Sequence, residues 1–484
     1  MLTIFTPVFC VALLCGTVFS FLNNGNKVYA ASTVKSNGAY LNLNGSANIL
    51  NGFEGAQKET IYLGNNNNAP VKWRVLAKND TKYGSGSNLL LFADSVLGTT
   101  RFYDTTYWGD YYGVSKLRAI LNGGYHVTPD ATGEAQSFTN HIAESSSYAS
   151  TLFSGLNDDL VMTAKDIVTH DTMITSSAWY ENSHPFYKTV GSDLYCDASS
   201  ITSSNVRYLK SHMDGLNTKT GQRADPNFSV NYSTTNGIAE TTKGDKLFPL
   251  DYDDMVNKAY GFVDASGKTY LDKIGSTYAS GYASQGYKYG YPCLNESEIK
   301  FAQFKATGGS YWLRMSAKIF DGYDNGALYV NANGDIEGAL YSGLAVSGVR
   351  PAFVLDATKI AYLTTAMPTA GSGFVNLTTK QTTPTYKTYV KDAYFDSFSS
   401  SAKGNVKEDN GTLSITYNNP TGETGGNLLV LLSPKSATGG EVDYQATVAM
   451  SPTASATKQA ATTLALPAEV SLSTHNLTLL YTSA

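Results

Sequence analysis

TGGSYWLRMS, from Thr307 to Ser316, and SGVRPAFVLD, from Ser347 to Asp356, decide how this chain is read. Each leaves a glycine and enters an apolar block, Tyr311 to Leu313 in the first and Val349 to Leu355 in the second, which is the pattern of a buried strand. Together they are expected to close a module. Arg314 and Arg350 lie inside these blocks, as Arg118 lies inside KLRAILN. A guanidinium so placed either binds a ligand or anchors loop carbonyls and a carboxylate, and we expect the second role, with Trp73 and Trp312 as further parts of the frame.

Upstream, IYLG, VKWRVLA and NLLLFAD between Ile61 and Asp94 are apolar bursts separated by Asn, Gly and Ser clusters, so short strands joined by turns are expected. Ser115 precedes KLRAILN, in which Leu117, Ile120 and Leu121 share one helical face, and Gly123-Gly124 follows; cap, stripe and stop agree on a short helix. Asp251 ahead of YDDMVNKAYG predicts a second helix, with Asp254 capping its first turn, and a third is expected from Glu296 to about Lys305. Between the first two helices, Ser137 to Gly244 is polar and aperiodic, and reads as long irregular loops of the kind that carry function. Downstream, ALYVNA and DIEGAL meet across Asn333-Gly334, a preferred two-residue hairpin turn.

The 484 residues exceed the usual size of one domain, so more than one unit is expected. Residues 1–30 read as a secretory signal peptide: Leu2 to Leu22 is mostly apolar, and Val28 and Ala30 suit cleavage after Ala30. The usual basic residues ahead of the apolar run are missing, and an uncleaved anchor is the alternative. Residues 31–360 form the main module, 361–388 lose periodicity and read as a linker, and LSITY, NLLVLL, VDYQATVAM, TTLALP and LTLLY make 389–484 a β-sandwich that stops straight after a strong strand, as a truncated domain would. A charge of −5 with no long basic run excludes a nucleic-acid footprint, and only 15% charged residues amid abundant Tyr, Asn, Ser and Thr suit an extracellular surface. After signal cleavage, no membrane insertion is expected. Cys196 and Cys293 would then be the remaining cysteines, and they either pair or stay as two thiols.

The ordered set WRVLA, LLLFAD, SKLRAILN, KLFPLDYDDMVNKAYGF, YWLRMS and GVRPAF resembles an uncharacterised bacterial domain family of unknown function, found in secreted and surface proteins of Gram-positive bacteria. The resemblance spans roughly Ile61 to Asp356, and departs from the family pattern at Tyr311-Trp312, Met315 and Ala317. Gly308-Gly309-Ser310-Tyr311-Trp312 and Gly348-Val349-Arg350 are more loosely similar to the C-type-lectin-like fold of formylglycine-generating enzymes. That likeness implies an α+β, C-type-lectin-like module; it does not imply the enzyme's activity, because no cysteine pair lies between Gly308 and Asp356. The C-terminal unit resembles immunoglobulin-like modules of bacterial surface proteins by its strand spacing.

Candidate contact residues lie in the polar loops. Trp108 with Tyr107, Tyr111 and Tyr112, and Trp179 with Tyr180, set flat apolar faces beside Gly, Asn, Ser and Asp, which suits a sugar or a protein surface, although large loops also need aromatic mini-cores of their own. Tyr323, Asp324 and Asn325 in FDGYDNGALYVNANGD are added to them. The oxygens of that stretch are of the kind calcium takes, but the spacing fits no EF-hand and Asp-Gly and Asn-Gly pairs are ordinary turn residues, so no cofactor is expected and calcium stays as the alternative. The histidines show no HxH or HExxH spacing, and no GxSxG elbow exists. Asp158-Asp159 and Asp253-Asp254 read as solvated or helix-capping pairs rather than catalytic ones. The expectation is a ligand-binding, adhesin-like surface protein contacting a glycan or protein; an extracellular hydrolase and a structural spacer are the alternatives.

Overall fold

The computed structural model describes residues 38–42, 48–102, 112, 115–127, 141–164, 187–190, 193–196, 245–250, 252–255, 257–263, 267, 306–319, 324–334, 336–338, 345–366, 370–379, 381–391, 406–419, 426–455 and 458–482. In chain order the strands begin with β1 (Ala39–Leu41), β2 (Thr60–Asn66), β3 (Ala69–Lys78), β4 (Asn88–Ala93), β5 (Gly98–Arg101), β6 (Gly124–Val127), β7 (His141–Glu144), β8 (Val161–Met162), β9 (Tyr187–Val190) and β10 (Asp193–Cys196). They continue with β11 (Phe248–Pro249), β12 (Tyr311–Ile319), β13 (Asp324–Val330), β14 (Ile336–Gly338), β15 (Val346–Val349), β16 (Pro351–Asp356), β17 (Ile360–Thr364), β18 (Val375–Asn376) and β19 (Thr385–Val390). The last are β20 (Val406–Asp409), β21 (Thr412–Tyr417), β22 (Asn427–Pro434), β23 (Tyr444–Ala449), β24 (Ala460–Ala465) and β25 (His475–Thr482). The described helices are short: α1 (Lys116–Asn122), α2 (Tyr148–Leu152) and α3 (Tyr252–Met255), with single 3-10 turns. The fold is therefore β-rich with few helices.

A nine-stranded sheet runs β1-β17-β19-β2-β3-β4-β16-β11, with β8 also pairing β16, and a five-stranded sheet runs β14-β13-β12-β15-β5. Central β4 (NLLLFA) is buried along its whole length, and β16 (PAFVLD) up to its last residue, which is why both read as continuous apolar runs rather than alternations. Trp73 packs edge-on against Phe353 with ring centroids 4.6 Å apart and donates its indole N–H to the Leu63 carbonyl at 2.8 Å, so one side chain ties β3 to β2 and β16.

The decisive C-terminal segment is not one strand. β15 belongs to the five-stranded sheet and β16 to the nine-stranded one, and the chain changes sheets at Arg350-Pro351. Proline has no N–H for a ladder, so a break there forfeits little. Arg350 fills the corner, its guanidinium 4.0 Å from the Phe92 ring and 4.7 Å from the Tyr311 ring.

Other elements depart from expectation for local reasons. Ser115 caps α1 by accepting the Arg118 amide at 3.0 Å, as its sequence predicts, but the second helix breaks into α3 and a 3-10 turn, Lys258–Tyr260. Asn257 starts that turn by accepting the Ala259 amide, a local bond that competes with helix continuation. The β13–β14 hairpin pairs Val330 with Ile336, so its connection spans 331–335 rather than two residues; the Asn331 side chain accepts the Asn333 amide inside it. The third expected helix, at 296–305, and the expected signal, at 1–30, lie outside the described residues.

Gly261 ends the 3-10 turn at φ +80, where a Cβ would collide with the Ala56 carbonyl oxygen. Gly261→Ala is therefore expected to lower stability by about 1 to 3 kcal/mol, read as a lower denaturation midpoint at unchanged m-value.

The stretch 361–388, expected as a linker, contains strands of both flanking units. β17 and β19 pair with each other in the nine-stranded sheet, whereas β18, between them in sequence, pairs β23 of a four-stranded sheet ordered β18-β23-β22-β25. A three-stranded sheet, β20-β21-β24, faces it across a cluster that includes Leu413, Ile415, Leu428, Val430 and Ala446. β22 (NLLVLLSP) buries both faces: Leu428 and Val430 point into this cluster, and Leu429 and Leu431 join a second one with Ala39, Leu41, Ala361 and Tyr362 of the large sheet. The missing periodicity of 361–388 thus reflects a chain that passes repeatedly between two packed units.

Candidate functional site

The site is defined by what the frame holds. Three stretches, 103–111, 165–244 (of which only 187–190 and 193–196 are described) and 268–305, are flanked at their necks by described residues of the frame, among them the buried polar Ser115 and Asp245. Helix α1 holds two of these necks. Its N-terminal turn closes the first: the Ser115 hydroxyl donates to the Tyr112 carbonyl at 2.7 Å, and the Leu117 amide donates to the Phe102 carbonyl at 3.3 Å. One turn apart on a single helix face, Arg118 and Asn122 grip the second. Arg118 donates to both oxygens of Asp245, with Nη2–Oδ1 at 2.6 Å and Nε–Oδ2 at 3.1 Å, and both residues are buried. Asn122 accepts the Lys246 and Leu247 amides, each at 2.9 Å, and donates to the Leu247 carbonyl at 2.7 Å. The Ala164 amide meets the Asp245 carbonyl at 2.8 Å, which joins the two ends of 165–244. The third segment returns beside Ser95: the Val96 amide donates to the Thr307 carbonyl at 2.9 Å.

A second polar chain runs beneath. Lys82 Nζ lies 2.6 Å from Asp254 Oδ1, and the Tyr83 hydroxyl donates to Oδ2 of the same carboxylate at 2.6 Å. The Tyr83 amide donates to Asp80 Oδ1 at 2.7 Å, and the Tyr260 hydroxyl donates to Asp80 Oδ2 at 2.8 Å. Arg314 reaches the Tyr83 hydroxyl at 3.3 Å, and its amide donates to the Leu250 carbonyl at 2.9 Å. Arg350 donates through Nε to the Ala93 carbonyl at 2.8 Å. Trp312 donates its indole N–H to the Thr100 carbonyl at 2.8 Å and packs edge-on against Phe102.

Burial sets the ionisation of this frame. It pushes the Arg350 guanidinium down to about 10, which leaves it charged at neutral pH. It raises the Tyr112 phenol well above its ordinary value, with the Asp245 charge adding to the rise and Arg118 and Arg314 opposing it. Burial likewise raises Tyr148, Tyr311, Tyr362 and Tyr386. Each of these phenols is harder to ionise folded than unfolded, so the stability it contributes is complete below the unfolded value near 10 and is lost as pH climbs through the folded value. The denaturation midpoint is expected to fall steeply above about pH 10. Absorbance at 295 nm should show exposed tyrosines titrating first and a late class ionising together with loss of structure.

Carboxylates here are consumed by frame contacts: Asp245, Asp254 and Asp80 all accept strong bonds from neighbouring side chains. Among the described residues no cluster of His, Cys, Asp and Glu could hold a metal ion, and no helix is long and apolar enough to cross a membrane. Trp108, Tyr111, Trp179, Tyr180, Tyr323 and Cys293 lie outside the described residues, and Cys196 sits in β10 opposite Tyr187 of β9. Asp324 and Asn325 open β13 opposite Ile319 and Lys318, at the ends of the hairpin whose connection is 320–323. Asp158 and Asp159 are exposed in a 3-10 first turn, but Asp254, expected as a capping residue, is wholly buried against Lys82 and Tyr83. Sequence reading missed Asp80, Tyr83, Asp245 and Tyr260. One signal pointed to Asp245: it is the sole acid between Gly244 and the apolar LFPL block, and a buried Arg118 needs a carboxylate.

No protein-family model, characterised protein or solved structure matches this chain.

Proposed function

We propose that this chain is a secreted or cell-surface ligand-binding protein of a Gram-positive bacterium, adhesin-like, which contacts a glycan or a protein through loops raised on a C-type-lectin-like module and carried by an immunoglobulin-like sandwich. One observation carries the reading: a buried ion pair, Arg118–Asp245, and the hydrogen bonds around α1 converge on the necks of 103–111 and 165–244, the segments that hold Trp108, Tyr111, Trp179 and Tyr180. Burying a charge pair is costly, and a fold that places one at the base of a loop fixes where that loop begins and ends. Loops so fixed, rich in Tyr and Trp, suit recognition, because rigid aromatic faces bind with little loss of conformational freedom. The immunoglobulin-like part is supported by strand order, with β20-β21-β24 facing β23-β22-β25 and the chain changing sheets between β21 and β22 and again on either side of β24.

The test is a glycan array and a pull-down from host and cell-wall extracts with the full chain, with and without a calcium chelator. Trp108→Ala and Trp179→Ala should each weaken capture tenfold or more while the far-ultraviolet spectrum stays unchanged. Capture that survives both substitutions, or no capture of any glycan or protein, overturns the reading.

A further inference from the structure

We propose that one face of β19, β2 and β3 binds an acidic polysaccharide, whose carboxylates meet Lys387 and Lys72 while a sugar ring lies on Tyr62. The register sets these side chains in rows. Thr364, Lys387, Tyr62 and Lys72 stand opposite one another across β17, β19, β2 and β3. Thr385, Thr60 and Arg74 form the next row on the same face, with the two threonine hydroxyls 2.8 Å apart. Ile61, Trp73 and Tyr386, at the alternate positions, enter the core on the other face.

Burial changes across this face. At one side Leu41 and Tyr362 are buried in a cluster with Leu429 and Leu431 of the sandwich. At the other side Phe92, opposite Arg74, is buried beneath Arg350, Tyr311 and Phe262. Between these covers Thr385, Thr60, Tyr62 and Lys72 are half-buried and Lys387 is exposed. The face is therefore a trough three strands wide, with two ammonium groups on its floor and a phenol ring between them.

The chemistry of the floor selects the occupant. Arg74 is matched by Asp94 at 2.7 Å, whereas the Lys387 ammonium stands 4.9 Å from the Tyr389 ring and carries its charge into solvent. Lys387 and Lys72 lie two strand spacings apart, about 10 Å, comparable with the separation of carboxylates along an extended polysaccharide that carries one on every second sugar. A tyrosine ring offers a flat apolar face to a pyranose, and threonine and lysine supply donors to its oxygens. β2, β3 and β19 expose no Leu, Ile, Val, Phe or Trp, so the face lacks the apolar centre of a protein interface. The chain as a whole carries a charge of −5, so a polyanion is drawn to this row rather than to the surface at large. None of these residues belongs to the loops proposed above for recognition, and the site does not rest on that reading.

The probe is a hyaluronan oligosaccharide, which has a uronate on alternate sugars. Titration calorimetry with the full chain should show binding at low salt that weakens as salt rises. The methyl ester of the same oligosaccharide, tested on the unaltered protein, should bind about tenfold more weakly or worse. Lys72→Met with Lys387→Met should weaken binding of the acid form by about tenfold or more, Lys72→Arg with Lys387→Arg should keep it, and Tyr62→Ala should weaken it severalfold. Polyphosphate tests charge alone and should bind more weakly than the oligosaccharide. No binding at low salt, equal binding of the ester, binding indifferent to the two lysines, or polyphosphate binding as tightly as the oligosaccharide overturns the proposal.

Discussion

Asp245→Ala lowers the stability of this protein by about 3 to 5 kcal/mol, the cost of leaving a buried guanidinium without its carboxylate. Arg118 is 2% exposed and spends Nε and Nη2 on Asp245, so water cannot replace the lost acceptor without opening the core. The reverse substitution, Arg118→Ala, strands the carboxylate instead and is expected to cost a similar amount. Removing both charges separates the value of the pair from the cost of breaking it. Arg118→Met with Asp245→Leu should recover most of the loss, because well-packed apolar residues of similar volume often match a buried ion pair. The local consequence is specific: the Ala164 amide, bonded to the Asp245 carbonyl, should exchange faster in Asp245→Ala than amides of β4, which the substitution does not touch. Recovery of global stability with Ala164 still exchanging fast would mean that the ion pair serves to fix the neck. A cost below about 1 kcal/mol would show that the pair is solvated.

How much of this was readable in advance depends on the range of the interaction. Ser115, the stripe of α1 and Gly123 are local signals, and the helix appears where they place it. Strands β2, β3 and β4 follow from the apolar bursts IYLG, VKWRVLA and NLLLFAD, signals about as short as the strands themselves. The frame's partners are not local. Arg118 and Asp245 stand 127 positions apart, and Tyr83 and Asp254 stand 171 apart, so position in sequence suggests a cap for Asp254 where packing makes it a buried acceptor. TYKTYV, which became β19, carries no run of large aliphatics and buries only Tyr386; its place in the sheet comes from pairing between β17 and β2. NLLVLL announced a strand plainly, but nothing in it says that its second face is covered by the first unit rather than by solvent. Of the candidate contact residues, Asp324 and Asn325 fall on described backbone, where they open β13.

The path of the chain implies that the two units unfold together. From β17 in the large sheet it passes to β18 in the four-stranded sheet, returns to β19 in the large sheet, and leaves again for β20. Separating the units would strip β18 from β23 or β19 from its neighbours β17 and β2, as well as exposing Leu41, Tyr362, Leu429 and Leu431. Backbone pairing adds to this: the Val442 amide donates to the Ala39 carbonyl at 3.1 Å, and the Tyr362 hydroxyl donates to Gln445 across the junction at 2.9 Å. A single calorimetric transition is therefore expected, with calorimetric and van't Hoff enthalpies equal. Two core substitutions on opposite faces of β22 sharpen the test. Leu431→Ala removes junction contacts and should cost about 2 to 5 kcal/mol; Val430→Ala removes contacts inside the sandwich and should cost somewhat less, since fewer methyl groups are lost. In a coupled protein both lower the one transition as a whole. If the units were merely adjacent, Val430→Ala would move a sandwich transition and leave the other in place, and Leu431→Ala would split one peak into two. Either pattern would make the crossing at β18 and β19 a loose strap, and the loop frame would then turn freely on the unit that carries it.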